Sequence, residues 1–418
     1  MASSALAMPT TAPRPVRLRD AAGHRVTAAT PATITRLDHF TTIVLRRAQG
    51  AEIGLDLAVE APDCPLAQCA AATVHLLSDT ANGMVRARGH LYRASRSLGQ
   101  ASPREVLWVE ALTAMSEGRA RLAALLFLNL AREAPCDRLA AYIGHLHCLN
   151  HGFFPEMLAL ARIGNVANPN DPFMLGMLSF ARLQNGAVQA AEEAALGAHA
   201  LDATIPWVQH ALAHIHGETG RLEVGIAHLM EAAPGWATCS TSMETHQWWH
   251  LMLFQLMAGD TAPVLAGYDE RLAPQAEASL SSWVNAVSML ARLDLLGVDV
   301  GARWAPLADV AEARIGEHVL AFLDIHFALA LAGAGRIDAL DRLRASAESL
   351  AEAASVDSKG VWRHAGLPLI DAIRAQATGD REEAARLLAG SRPHWVLIGG
   401  SDAQRGLFER LLRAVTAA

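Results

Sequence analysis

This 418-residue chain has no strand-like alternation long enough to build a sheet, and it has no uninterrupted apolar run of the roughly 18 or more residues that a membrane helix requires. The first absence excludes β architectures, and the second excludes a transmembrane span. The richest apolar stretch, Val319 to Ala334, contains Asp324 and His326 and so reads as a buried helix of a water-soluble fold. The five cysteines, Cys64, Cys69, Cys136, Cys148 and Cys239, form no CxxC pair, and their odd number gives no disulfide framework. Reduced thiols are expected. Lys and Arg together number 35 against 42 Asp and Glu, a net charge of −7 without a basic stripe, so nucleic acid is not an expected partner. The opening segment lacks the apolar block of a secretory leader, which makes a cytoplasmic location and no membrane attachment the expectation.

The chain is rich in small apolar residues. It is 52% hydrophobic but only 5% aromatic, so much of its apolar content is alanine, whose helix propensity and small side chain suit closely packed helices. Gly118, Gly152, Gly186 and Gly220 are spaced by 34 residues each time, the length of a tetratricopeptide-type helix–turn–helix repeat. The pattern predicts an all-α solenoid, tightly curled, with its clearest repeats over residues 104–237. In the repeat starting at Arg104, Ala111 and Ala123 fall where two helices must touch, and Phe127 falls where the repeat wants an aromatic knob. Gly259, Gly335 and Gly379 are expected to be later turns. Gly217 and Gly220 together read as a helix stop, and Ser401-Asp402 reads as the N-cap of a final helix. Residues 1–33, punctuated by Pro9, Pro13, Pro15 and Pro31, are expected to be flexible, with one continuous repeat domain over 34–418.

This register places Trp207, His210, His214 and Glu218 on the inner wall of one repeat. The next hairpin carries His246-Gln247-Trp248-Trp249-His250. Adjacent helices thus each present two imidazoles at i and i+4, a spacing that lets one ion be gripped, because neutral imidazole is a good ligand for divalent transition metals. Asp324 lies in an apolar helix and needs a partner there, whereas His326, two residues on, should face another way. The expected site is therefore His210, His214, His246, His250 and Asp324. Trp207, Trp249, Tyr142, Glu218 and His326 are candidate ligand contacts, with Trp108, Phe173 and Trp248 as further apolar walls. Three readings of the cluster stay open: a metal site, a metal-free His/Asp acid–base site, and structural polar residues. The HExxH signature is absent, since Gly217 precedes Glu218. Cys239 and the turn Gly399-Gly400-Ser401-Asp402 are weaker candidates, the first as a nucleophile and the second as an anion cradle.

In this order and spacing, His210-Ala-Leu-Ala-His214-Ile-His216, His246-Gln-Trp-Trp-His250, Gly297-Val-Asp-Val-Gly301 with Arg303-Trp304, Asp324-Ile-His326-Phe327, Gly366-Leu-Pro-Leu369 and Gly399-Gly-Ser-Asp-Ala-Gln-Arg405 with Phe408 resemble the tetratricopeptide repeat protein 38 family. The resemblance covers residues 200–418 well and implies a helical-repeat fold with a recurring His/Asp cluster. It implies no particular activity. The chain departs from the family pattern at Gly217, where Glu is usual, and at Thr245, where Cys is frequent. Two functions follow as expectations: a small-molecule enzyme or ligand binder with a His/Asp-lined pocket, or a scaffold holding a peptide in its concave groove.

Overall fold

The computed structural model describes residues 18–353 and 356–417. Among them, all regular structure is helical apart from two isolated bridges, Arg19 with Arg25 and Ala48 with Cys239. The chain opens with α1 (Pro31–Arg46), α2 (Ile53–Glu60), α3 (Pro65–Leu76) and α4 (Ala81–Arg96). Four regular hairpins follow: α5 (Pro103–Ser116) with α6 (Ala120–Glu133), α7 (Arg138–Asn150) with α8 (Phe154–Ala167), α9 (Pro172–Gln184) with α10 (Val188–Leu201), and α11 (Pro206–Glu218) with α12 (Leu222–Ala232). Less regular units complete the stack: α13 (Thr241–Met257) and α14 (Thr261–Gly267), α15 (Leu280–Leu295) and α16 (Trp304–Ala313), then α17 (Ala321–Gly333) and α18 (Ile337–Ala353). The short α19 (Val356–Val361) leads to α20 (Leu367–Ala377) and α21 (Arg381–Ser391), and α22 (Asp402–Thr416) closes the order. No helix among the described residues is long and apolar enough to cross a membrane.

The glycine ladder sets this pitch. Gly118, Gly152, Gly186 and Gly220 all adopt φ between 68° and 78°, a left-handed conformation that lets each first helix turn sharply into its second. Gly259, Gly335 and Gly379 do the same in the later hairpins, but Gly217 does not: it lies inside α11, and Gly220 alone ends that helix. Within hairpins, Ala111, Ala123, Ser179 and Ala191 are fully buried at the helix contacts, and Phe127 inserts edge-on against Trp108 with ring centroids 6.2 Å apart. Helix starts are locally encoded too. Ser102 with Glu105 and Ser401 with Gln404 form capping boxes, and Asp137 and Asp171 cap α7 and α9.

Order begins earlier than composition suggests. Residues 1–17 lie outside the described residues, but residues 18–30, expected to be flexible, pack onto the first repeats, and α1 already starts at Pro31. Val26 is buried, Thr27 N–H donates to Glu105 Oε1 at 2.7 Å, and Asp20 pairs with the buried Arg104 at 2.7 Å. A segment with few large apolar residues is held by hydrogen bonds to charged groups together with the packing of Leu18, Val26 and Ala29 on the core.

The superhelix curls until distant parts meet. On one side, Ser240 N–H donates to Arg47 O at 2.6 Å and Arg46 pairs with Asp202 at 2.8 Å. On the other, the segment before α22 crosses the α7–α8 turn: Gly400 N–H donates to Leu149 O at 3.1 Å, and Arg405 lies 5.1 Å over the Phe154 ring. Gly399 and Gly152 make this crossing feasible, because a Cβ on Gly152 would collide with the Val396 carbonyl, and one on Gly399 with the Asn150 carbonyl. Gly399→Ala is therefore expected to lower stability by well over the roughly 1 kcal/mol of Gly186→Ala, which has a similar φ but open space around its Cβ. Urea midpoints of the two variants measure the difference; equal midpoints would remove the closure contact from the account.

Candidate metal centre and adjoining pocket

Helices α11 and α13 run side by side and bring their i, i+4 histidine pairs face to face. One ring nitrogen from each of His210, His214, His246 and His250 lies within 4.8 Å of the others. His210 Nε2 is 3.1 Å from both His246 Nε2 and His214 Nε2, and the His214 and His250 rings are 4.5 Å apart. His210, His214 and His250 are buried and His246 is nearly so. A tetrahedral ion with metal–nitrogen bonds of about 2.0–2.1 Å would hold its ligand nitrogens about 3.3 Å apart, close to the two 3.1 Å separations from His210 and inside the 4.8 Å span of the whole set.

Hydrogen bonding fixes how His246 presents itself. Asn285 Nδ2 donates to Thr245 Oγ1 at 3.3 Å, so Asn285 Oδ1 is the atom facing His246 Nδ1 at 3.0 Å. That oxygen can only accept. His246 therefore carries its proton on Nδ1 and turns the Nε2 lone pair inward, the state required of a metal ligand. His210 Nε2 contacts two other imidazole nitrogens, and a single proton serves both poorly. In addition, His250 Nε2 is buried without a hydrogen-bond partner among the described residues. Without a cation this centre leaves polar atoms unsatisfied.

All four imidazoles are held neutral. Burial, the largest cause in each, pushes His214 down to about 3 and His246 to about 4, and sets His210 and His250 well below the ordinary range, with their mutual repulsion adding to it in His210, His214 and His250. Trp249 stacks on His246, nearly parallel with centroids 5.4 Å apart, and Trp207 lies 4.9 Å from His210. Tyr142 meets Trp207 edge-on at 5.8 Å.

These aromatics back the imidazoles instead of lining a ligand cavity. The cavity, about 220 Å³, lies on the other side, with His214 and His250 in its wall together with Arg292, Arg410, Phe254 and Met257. Of the five expected ligand contacts, only Glu218 borders it, exposed at the rim and away from the four ring nitrogens. Trp207, Trp249 and Tyr142 form the dry back wall. Trp248 points elsewhere, edge-on to Trp236 at 4.9 Å and beneath Arg271.

Asp324 does not join the four histidines. Its Oδ1 accepts from His318 Nδ1 at 2.6 Å, and His318 Nε2 is 2.8 Å from Ser346 Oγ. His318 is a loop residue with φ 47°, held in place by this carboxylate and by the edge of Trp362. The order Asp–His–Ser imitates a hydrolase relay, but Ser346 sits within α18, where backbone N–H groups are committed to the helix and supply no oxyanion hole. The arrangement pins the loop before α17. His326 is likewise structural: its Nδ1 donates to Phe322 O at 2.7 Å and its ring packs near Phe408. Cys239 is a buried thiol pushed up to about 11 by burial, which removes it as a nucleophile.

Sequence reading missed Asn285 and Arg292, although a signal was present. Ser282, Asn285, Ser288 and Arg292 recur at three- and four-residue spacing along α15, a buried polar stripe in an otherwise apolar helix. Thr245 Oγ1, which accepts from Asn285 Nδ2, anchors Asn285.

No family model matches the chain. Among solved structures, one titled "Structure of Naa15/Naa10 bound to HypK-THB" aligns with 15% identity and a TM-score of 0.25, covering 87% of this chain and 63% of that one. The chain thus spans less than two thirds of that protein, and a likeness this low transfers neither geometry nor activity.

The neutral imidazoles have a consequence for acid stability. Each has a folded pKa below its unfolded value of about 6.5, so between these values the unfolded chain binds more protons and stability falls as pH falls. His145, near 3, and His147, near 4, act in the same direction. Chelator-treated protein should lose up to about 1.4 kcal/mol per pH unit for each such imidazole between about pH 6.5 and 4. Urea midpoints at pH 7.5, 6 and 5 test this; a flat profile would contradict neutral burial.

Proposed function

We propose that this helical-repeat protein is a metalloprotein whose tetrahistidine centre, His210, His214, His246 and His250, binds a divalent transition metal and acts on a small molecule held in the adjoining pocket. The observation that carries this is the convergence of four buried, neutral ring nitrogens within 4.8 Å, two of their side chains bordering the 220 Å³ cavity. All-imidazole ligation suits Zn, Ni or Cu better than hard cations such as Mg or Ca, which take oxygen. The second contact made by His246 supports the same reading: Asn285 and Thr245 orient this imidazole, as outer partners orient metal-bound histidines.

An ion held by all four imidazoles would act as a Lewis acid only if it took a ligand oxygen from the pocket as a fifth donor. The chain's own residues form the dry back wall, keep the imidazoles unprotonated and leave the His214–His250 side open to the cavity. Asp324, engaged by His318, is outside this chemistry. Membership of the tetratricopeptide repeat protein 38 family is part of the proposal; of its motif residues, those at 210–216 and 246–250 supply the four histidines, Asp324 the loop pin, and those at 399–405 the crossing before α22. The peptide-scaffold reading is weaker for a physical reason: the chain's own segment before α22 already occupies the α7–α8 turn at Leu149 and Phe154, and α22 lines the cavity beside the histidines.

Elemental mass spectrometry of untagged protein, purified without chelator, tests the metal. Near-stoichiometric Zn, Ni or Cu is expected, with loss of at least 90% of it in the His210→Ala, His246→Ala double variant, a magnitude typical of removing two of four ligands. Metal-free protein that also fails to take up any of these ions on titration would sink the proposal.

A further inference from the structure

Among the described residues, the deepest cation of the pocket has no counterion. Arg292, 1% exposed, donates to Ser288 O at 3.0 Å, to Ser288 Oγ, to Ala403 O at 2.8 Å and to Gln404 O at 3.3 Å. All of these acceptors are neutral, and its Nε is buried with no partner. Arg410, half-buried on the same cavity wall, also forms no ion pair among the described residues. The two guanidinium groups repel each other, and burial pulls Arg292 down to about 9, so it remains a cation at neutral pH. Trp249, 5.2 Å away, offers its ring face as the nearest electron-rich group.

Charge is sorted by depth. The two carboxylates bordering the pocket are at its rim: Glu218 is exposed, and Asp402, its side chain 59% exposed, is engaged by Arg405. The wall holds the buried Arg292 and the half-buried Arg410 beside two neutral imidazoles, His214 and His250, and among the described residues no acidic group of α13, α15 or α22 pairs with Arg292. Any metal at the histidines would add positive charge to a region already short of anions. An uncompensated buried cation is costly, and an anion from outside offsets it. The rest of the wall, including Leu183, Ala213, Leu253, Phe254 and Met257, is apolar.

We infer that the pocket binds a small organic carboxylate, its anionic group taken up between Arg292 and Arg410 beside His214 and His250 and its apolar body against Phe254 and Met257. This deepens the pocket reading above but does not require the metal. Both terminal nitrogens of Arg292 are committed to Ser288, Ala403 and Gln404, which leaves its buried Nε–H to donate beside the guanidinium of Arg410, and the apolar wall favours a hydrocarbon-bearing acid over inorganic phosphate.

Isothermal titration of the full-length protein, metal-loaded and chelator-treated, with acetate, butyrate, hexanoate and octanoate, with hexanamide and with inorganic phosphate, tests this. At least one carboxylate is expected to bind in both forms, at least about 10-fold more tightly than hexanamide and than phosphate, the value of one charge-assisted contact. Arg410→Gln, at a half-buried position away from the core, should weaken carboxylate binding about 10-fold while leaving the urea midpoint near that of the parent; Arg292→Lys should weaken it as well. Equal binding of hexanamide and hexanoate, binding of phosphate alone, or no carboxylate binding in either form would overturn the assignment. Metal at the histidines with indifference to carboxylates would defeat this inference and leave the metal centre standing. Arginine-dependent carboxylate binding by a protein that takes up no metal would do the reverse.

Discussion

Four imidazoles can occupy a volume a few ångströms across only if none of them carries charge. That condition governs much of the middle of this protein. It requires water to be kept out, which Trp207, Trp249 and Phe180 achieve by packing against the rings, and it requires α11 and α13 to stay at close approach. It also requires at least one tautomer to be chosen, which falls to Asn285 from α15. Burial sufficient to keep histidine neutral leaves nitrogen lone pairs without hydrogen, and such a group is poised for a cation.

The pocket is a product of curvature. A tetratricopeptide-type stack left open would present the His214–His250 side to a broad groove. Here α22 swings across it, and Arg292 ties the first turn of that helix to α15 through two backbone carbonyls. One guanidinium thus helps hold the wall of the cavity while bringing positive charge to it. A ligand group that shared this arginine would meet a side chain already fixed in position, with little further loss of rotamer freedom.

Features set by short-range chemistry were legible in the sequence. The 34-residue glycine ladder, the cap at Ser401, the small residues at helix contacts and both histidine pairs depend on neighbours a few positions away, and the structure has them where the register placed them. What depended on distant partners was not legible. Asp324 was recognised as needing a partner, but that partner is His318 in a strained loop, not a cluster histidine. The docking of residues 18–30 rests on Arg104 and Glu105, and composition alone gave no hint of it. Gly399-Gly400 could be read only as part of a cap, because its second role is to let the chain pass the α7–α8 turn some 250 residues earlier in sequence. The aromatics expected as ligand contacts, Trp207, Trp249 and Tyr142, do not border the cavity beside His214 and His250, because helix position gives a side chain's direction but not which side of the imidazoles stays hollow.

The crossing at Gly399 changes what kind of object the solenoid is. In an open stack each repeat feels only its neighbours, so the ends fray independently and stability is close to a sum over units. Contacts between the α7–α8 turn and the segment before α22 join units far apart in the series, and those between α1 and the region of Cys239 join another pair. The stack becomes a loop of mutual constraints. Disorder introduced in either of the joined regions is then passed to units far from it in the series, beyond the nearest neighbours of an open stack.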